Sequence, residues 1–392
     1  MRRSEGFVKK KLRYAVLSVF ASISLAPALP VHSPQALAAW KSKAVFSGLT
    51  PHQALETVYV GGQSIGIRLN SRGILVVGFE RINHENSPAQ VAHLQLGDVI
   101  QQIGNQRVES IVDLKDWIQK HPSTSKVSLL VRRGSTMVRY QVPLAKDPSG
   151  ERHLGLFVRD QTSGVGTLTF YDVHNHRYGA LGHVITDSDT GKPVDGWGHV
   201  YDSEIYGVVK GTSGKPGEKR GRFIRPNASL GSIDTNSNFG VFGTMRSVPP
   251  HLYKYHRLPV ASPKEVHNGR AELLTVVRGQ CVESFQVEIE NSVRQTRPTT
   301  KSMIIHVTDP DLLAATGGIV QGMSGSPVIQ DGRLVGAVTH VFVSDPTRGY
   351  GVYAQWMLKE CLVSQARAPH SEKPRPTQIP ALLRRSSQAH TA

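Results

Sequence analysis

A serine flanked by glycines lies in the stretch Gly318-Ile319-Val320-Gln321-Gly322-Met323-Ser324-Gly325-Ser326-Pro327. Glycines on both sides let the backbone adopt left-handed conformations and leave room for a neighbouring chain. A nucleophilic serine needs that setting: an exposed hydroxyl, with backbone N–H groups free to point at an oxyanion. Ser324 fits better than Ser326, because Pro327 holds Ser326 in an extended conformation suited to entering a strand. The hydroxyl needs a base, and histidine titrates in the right range. Of the 17 histidines, His183 stands out in Tyr178-Gly179-Ala180-Leu181-Gly182-His183-Val184-Ile185, where small residues can hold an imidazole at a cleft edge. His199 and His340 are rivals, while His174 and His176 flank an asparagine in a turn. No H-E-x-x-H helix and no Cys-x-x-Cys pair occurs, so neither a metal nor a cofactor is expected.

The elements that must carry these residues follow from the whole chain. Its 392 residues suit two or three domains, and 37 Gly with 23 Pro favour short elements and many turns. The formal net charge of +16 is dispersed rather than organised as a nucleic-acid patch, so no nucleic-acid partner is expected. Arg2 to Arg13 form a basic run before an apolar segment ending near Val31, and Ala36-Leu37-Ala38 fits a cleavage site. Residues 1–38 therefore read as an export signal or membrane anchor, followed by a linker over 39–60. Cys281 and Cys361 are too few for a disulfide framework, and pairing stays open. The segment 367–392, basic and without apolar periodicity, reads as a flexible tail.

Residues 61–146 read as a compact α+β unit. Strand patterns at Ser64–Leu69 and Gly73–Phe79 precede a Ser87-Pro88-Ala89 helix start, the strand-forming Leu96-Gly97-Asp98-Val99-Ile100, an amphipathic helix with Leu114, Trp117 and Ile118, and a final strand pair. That order, with Ser-Pro-Ala, Leu-Gly-Asp-Val-Ile and Asp113-Leu114, resembles a PDZ domain of the bacterial protease-associated kind. The resemblance implies a groove between the strand at Ile65–Leu69 and the helix, where a peptide adds as an extra strand. Ser64, Ile65, Gly66 and Ile67 are the peptide-binding candidates it implies.

From about 150 to 366 the chain reads as short strands with glycine-rich connections, an all-β barrel or sandwich pattern, with helices only at Asp311–Thr316 and Gln355–Ala366. Gly211–Arg225 reads as an exposed basic loop. Gly-Met-Ser324-Gly-Ser-Pro is similar to the nucleophile stretch of chymotrypsin-like serine proteases, and Ala180-Leu181-Gly182-His183 resembles their histidine segment. With the PDZ unit placed first, the chain resembles the SpoIVB-type serine peptidases of endospore-forming bacteria. The implied architecture is multidomain: a small α+β PDZ domain followed by an all-β two-barrel chymotrypsin-like peptidase.

By that resemblance Ser324 is the nucleophile, His183 the base, and the N–H groups of Gly322 and Ser324 the oxyanion hole. The family points to Asp309 as the acid, whereas chymotrypsin-like spacing favours Asp234; Asp187, Asp189, Asp195, Asp202 and Asp311 also satisfy the chain order. Met323 replaces the aspartate that pairs with a freed N-terminus in trypsin-like zymogens, so that switch cannot operate. The family implies an exported enzyme in the space between the membranes of a developing forespore, cleaving itself and a membrane-bound regulator of sigma-factor processing. Its partners would be such substrates, peptide segments at the PDZ groove, and a membrane reached through the N-terminal segment. The alternative is a non-catalytic scaffold whose PDZ groove recruits a membrane partner.

Overall fold

The computed structural model describes residues 56–246 and 257–367. The expected export segment, most of the linker and the tail beyond Arg367 lie outside them.

Two strands of unusual length organise the fold, Ser64–Phe79 and Leu156–Asp172, each about three times the usual five or six residues. They run antiparallel in two stages. Ser64 to Asn70 pair with Thr167 to Gln161, and after an irregularity Leu75 to Phe79 pair with Arg159 to Leu156. Ile65, Ile67 and Leu69 are buried in one core, whereas Ile74 and Val76 are buried in another. Gly73 marks the passage: its φ is +108°, and a Cβ there would lie 2.6 Å from the Ile100 carbonyl oxygen.

The two ribbons therefore link two bodies, and this revises the expected borders. The PDZ unit precedes the β-rich peptidase domain as expected, but the strand that leads into it already pairs within the first β-unit of the peptidase. Residues 57–70 pack with the peptidase, and Leu154, Leu156 and Val158 close the PDZ core. In that unit Ile74, Ile100, Ile103, Leu114, Val127, Leu129 and Val142 are buried together. Helix Ile111–Lys120 starts at a capping box, Ser110 Oγ accepting from Asp113 N–H and the Asp113 carboxylate from Ser110 N–H.

The first β-unit wraps Ile65, Leu168, Tyr178, Leu181, Ile185, Val200, Ile233 and Val241. The second is a closed barrel in which Gly269–Thr275, Glu283–Ser292, Met303–Val307, Arg348–Tyr353, Arg333–Val341 and Pro327–Gln330 neighbour one another in that order. Helices form at Pro310–Thr316 and Ala354–Arg367. The latter reaches back to the first unit, where Arg177 donates to Ser364 Oγ at 2.8 Å. Both cysteines are free, Cys281 exposed and Cys361 buried. No helix among the described residues is long and apolar enough to cross a membrane.

One expected loop is a hairpin. Glu218–Phe223 pairs with Ser203–Val209, and its alternate residues point inward, Lys219 being buried while Arg220 and Arg222 are exposed or nearly so. Glycine and charge made the segment read as loop, but period-two alternation and pairing with Ser203–Val209 supply a ladder, with a single bridge to Gln321 on its other side.

Candidate active site

The nucleophile loop leaves helix Pro310–Thr316 through Gly317 and Gly318, and it turns at Gly322 and Gly325 with φ of +93° and +92°. A Cβ on Gly325 would lie 2.2 Å from the Thr167 carbonyl oxygen and 2.4 Å from Leu181 N, so the close approach admits only glycine. Strand Leu156–Asp172 grips the loop along its length. Thr167 N–H donates to the Ser324 carbonyl at 3.0 Å, Thr167 Oγ1 to the Gly322 carbonyl at 2.8 Å, and Thr169 Oγ1 to the Gly325 carbonyl at 2.8 Å.

This anchoring aims two N–H groups. In a trans peptide the C=O and the following N–H point opposite ways, and no cis bond occurs among the described residues. The Gln321 carbonyl accepts from Lys219 N–H at 2.8 Å, and the Met323 carbonyl from Ser326 N–H at 2.8 Å. Gly322 N–H and Ser324 N–H are thereby turned away from those donors. Among the described residues neither has a hydrogen-bond acceptor, which is the condition an oxyanion hole requires.

His183 follows two residues of positive φ, Leu181 (+68°) and Gly182 (+70°). A Cβ on Gly182 would lie 3.0 Å from Thr339 Cγ2 and 3.1 Å from Val352 Cγ1, so the histidine segment is pressed against the second barrel. His183 Nδ1 lies 2.8 Å from the Val184 carbonyl. A carbonyl only accepts, so Nδ1 carries the hydrogen and Nε2 keeps the lone pair that a general base uses. Burial, then the nearby His340, pushes the imidazole down to about 4, with the Val184 bond opposing. The two rings are 4.7 Å apart between centroids.

Ser324 Oγ donates to the Thr339 carbonyl at 2.8 Å, and Thr339 directly precedes His340. The serine and His183 thus meet at the same strand, Arg333–Val341, one from each half of the fold. Passing the proton to His183 requires the hydroxyl to turn away from Thr339. Ser326 is fully buried and hydrogen-bonded to Thr275 Oγ1 at 2.9 Å, an internal position unlike that of Ser324.

The acidic candidates are engaged with other groups. Asp309 caps helix Pro310–Thr316: Oδ1 accepts from Asp311 N–H at 2.9 Å and Leu312 N–H at 3.0 Å, and Oδ2 from Gln286 N–H at 3.1 Å. Desolvation opposes ionisation, but these three backbone bonds outweigh it and hold the carboxyl below its usual value. Asp234 accepts from Arg177 at 2.8 Å and Ser232 Oγ at 2.7 Å. Asp187, fully buried, is paired with Arg159 and closes its own loop through Thr190 N–H at 2.9 Å. The group that fixes the His183 tautomer in this structure is the Val184 carbonyl. His199 stands on Gly196–Val209 beside Trp197 and Tyr201.

The expected peptide-binding strand needs correction. Ser64, Ile65, Gly66 and Ile67 are buried and hydrogen-bonded on both sides, to Gly164–Thr167 and, from Ile65 to Ile67, to Val200–Asp202. A strand without a free edge cannot accept a peptide. The PDZ edge lies instead at Leu156–Asp160, paired on one side to Leu75–Phe79 and with no strand on its other side among the described residues. It follows Gly155 (φ +71°), and Asp160 Oδ2 accepts from Ile111 N–H at the start of helix Ile111–Lys120. Asp147, Glu151 and His153 place one ligand atom each within 4.8 Å of one another, but the Asp147 carboxylate is already held by Ser149, Glu151 and His153.

Sequence reading missed Lys219, Thr167, Thr169 and Thr339, which shape the loop without doing chemistry. The period-two alternation of Lys219-Arg220-Gly221-Arg222-Phe223 was the one signal available.

Residues 150–358 match the family model described as SpoIVB peptidase S55, and residues 84–133 match a PDZ domain model. No curated protein sequence matches the chain. Among solved structures, the PDZ domain of the SdrC-like protein from Listeria monocytogenes is 20% identical at a TM-score of 0.20, covering 22% of this chain and 87% of its own. The active form of the Rv3671c protease from M. tuberculosis is 14% identical at 0.32, covering 54% and 78%. The HtrA-type protease AlgW with a decapeptide is 12% identical at 0.28, covering 56% and 58%.

Proposed function

Because the chain belongs to the SpoIVB peptidase S55 family, a family of serine peptidases, we propose that Ser324 is its nucleophile and His183 its general base. The observation that carries the reading is the pair of N–H groups, Gly322 and Ser324, left without an acceptor among the described residues, on a loop whose serine bonds Thr339, next to the His340 ring that packs 4.7 Å from the buried His183. His183 Nε2 takes the Ser324 proton as Oγ attacks a peptide carbonyl, and the two N–H groups receive the oxyanion. His183 then returns the proton to the leaving amine, and water repeats the sequence on the acyl-enzyme. The Val184 carbonyl keeps Nδ1 protonated throughout, the orienting part of the task that an aspartate performs in the chymotrypsin template.

The finer reading is an exported endopeptidase of sporulation, working between the two membranes of the forespore. It cleaves itself and a membrane-bound regulator, and so activates intramembrane processing of a late sigma-factor precursor. The family and the basic, apolar N-terminal sequence support this. Partner segments would add to the Leu156–Asp160 edge beside helix Ile111–Lys120, in place of the buried strand at Ser64–Ile67. The test is labelling with a fluorophosphonate and mapping of the adduct. Label on Ser324, absent in Ser324→Ala and suppressed in His183→Ala, supports the reading; folded wild-type protein that takes no label refutes it and leaves the scaffold alternative.

A further inference from the structure

Lys219 is buried at 6% exposure, and among the described residues it forms no ion pair. Its Nζ donates to Thr275 Oγ1 at 2.6 Å, at the end of a second-barrel strand. Thr275 Oγ1 is 2.9 Å from Ser326 Oγ, which is 3.4 Å from Thr167 Oγ1, and that hydroxyl donates to the Gly322 carbonyl at 2.8 Å. Thr167, Thr275 and Ser326 are fully buried. Thr275 Oγ1 accepts from both the amine and Ser326 Oγ, and Thr167 Oγ1, next to Ser326, donates to the Gly322 carbonyl, so buried hydroxyls link the amine to the loop. The stem of the lysine lies under the same glycine, since a Cβ on Gly322 would be 3.0 Å from Lys219 Cβ.

The backbone of Lys219 touches the other side of that residue. Its N–H holds the Gln321 carbonyl, while Gln321 N–H donates to Gly217 at 2.9 Å. The Gln321–Gly322 peptide is the one whose N–H forms half of the oxyanion hole. A hairpin from the first β-unit thus sets that peptide, and Lys219 Nζ fastens the hairpin to the second barrel.

Packing alone does not explain a lysine here. A buried amine without a carboxylate is costly to keep charged, and burial pulls this one down to about 7. Leucine or methionine would fill the space without that cost, but neither could bond to Thr275.

We propose that Lys219 is a positioning residue for the oxyanion hole, orienting the Gln321–Gly322 peptide through its backbone and locking the supporting hairpin through Thr275. This rests on the peptidase reading above. The test compares the full chain with Lys219→Met, which keeps the stem, and Thr275→Val, which keeps the lysine but removes its acceptor. Two readouts are needed: fluorophosphonate labelling, resolved into its saturation constant and maximal rate, and amide exchange over residues 317–326. Losing an oxyanion donor outright lowers turnover by about 10²–10³-fold, so misorienting one is expected to slow the maximal labelling rate by roughly 10-fold or more. The saturation constant should stay unchanged, exchange over 317–326 should quicken, and the double variant should be no slower than the slower single one. Labelling within twofold of wild type and unchanged exchange in both variants overturn the proposal, as does a rise in the saturation constant alone. Faster exchange in both variants, with no label on the wild type, sinks the peptidase reading and upholds the mechanical role of Lys219.

Discussion

Thr167 donates its N–H to the carbonyl of Ser324 at 3.0 Å and its hydroxyl to the carbonyl of Gly322 at 2.8 Å. The strand carrying it, Leu156–Asp172, begins as the open edge of the PDZ unit. One continuous strand therefore joins the surface where a peptide would add to the two residues proposed to receive the oxyanion. Thr167→Val keeps the shape and the N–H but leaves the buried Gly322 carbonyl without its hydroxyl donor. The expected cost is about 1–3 kcal/mol, read from urea midpoints, with slower labelling of Ser324. An unchanged labelling rate would show that this bond does not shape the loop.

Asp309 gives a sharper test, because its surroundings and its family assignment predict different magnitudes. As a helix cap, Asp309→Ala loses about 1 kcal/mol of stability and keeps most of its labelling rate. As an acid that fixes the histidine tautomer, it would lose about 10⁴-fold in turnover. Labelling kinetics of Asp309→Ala beside its thermal midpoint separate the two outcomes, and a collapse of labelling in folded protein would restore Asp309 to the triad.

Acid should inhibit late. Burial, then His340, lowers His183 from 6.5 to about 4, so the imidazole stays a usable base well below neutrality. The acidic limb of the labelling rate is expected near pH 4 rather than above 6. The sign for stability follows from the same shift. Between about pH 4 and 6.5 the unfolded chain binds a proton that folded His183 refuses, so stability rises with pH across that window and is lost as the solution is acidified. The slope from this residue is at most about 1.4 kcal/mol per pH unit. His183→Gln should flatten that part of the curve, and an unaltered slope would contradict the burial argument.

Gly325→Ala should be poorly tolerated. At φ +92°, its Cβ would lie 2.2 Å from the Thr167 carbonyl oxygen and 2.4 Å from Leu181 N, and both are backbone atoms that cannot swing aside. Left-handed strain alone costs about 1–3 kcal/mol, and the clash adds to it. Loss of labelling with a lowered thermal midpoint is expected; wild-type behaviour would mean that the two strands separate more readily than their spacing implies.

The glycine-flanked serine loop and the two kinds of unit were legible in the residues alone. Gly322-Met323-Ser324-Gly325 needs its glycines wherever the chain goes, because positive φ and close approach are local demands. The alternation of Ile65, Ile67 and Leu69, and later of Ile74 and Val76, announced buried strands for the same reason. Which core each strand joined was decided only by tertiary structure. Period-two burial says that a face is covered without saying by what, so Ser64–Leu69 read as a PDZ strand when both its edges belong to the peptidase. Asp309 and Lys219 differ from the serine loop in the same way. Asp309 caps its helix through the nearby Asp311 and Leu312 N–H groups, but its second oxygen is taken by Gln286, and Lys219 depends on Thr275; only folding brings those two distant partners within hydrogen-bonding distance.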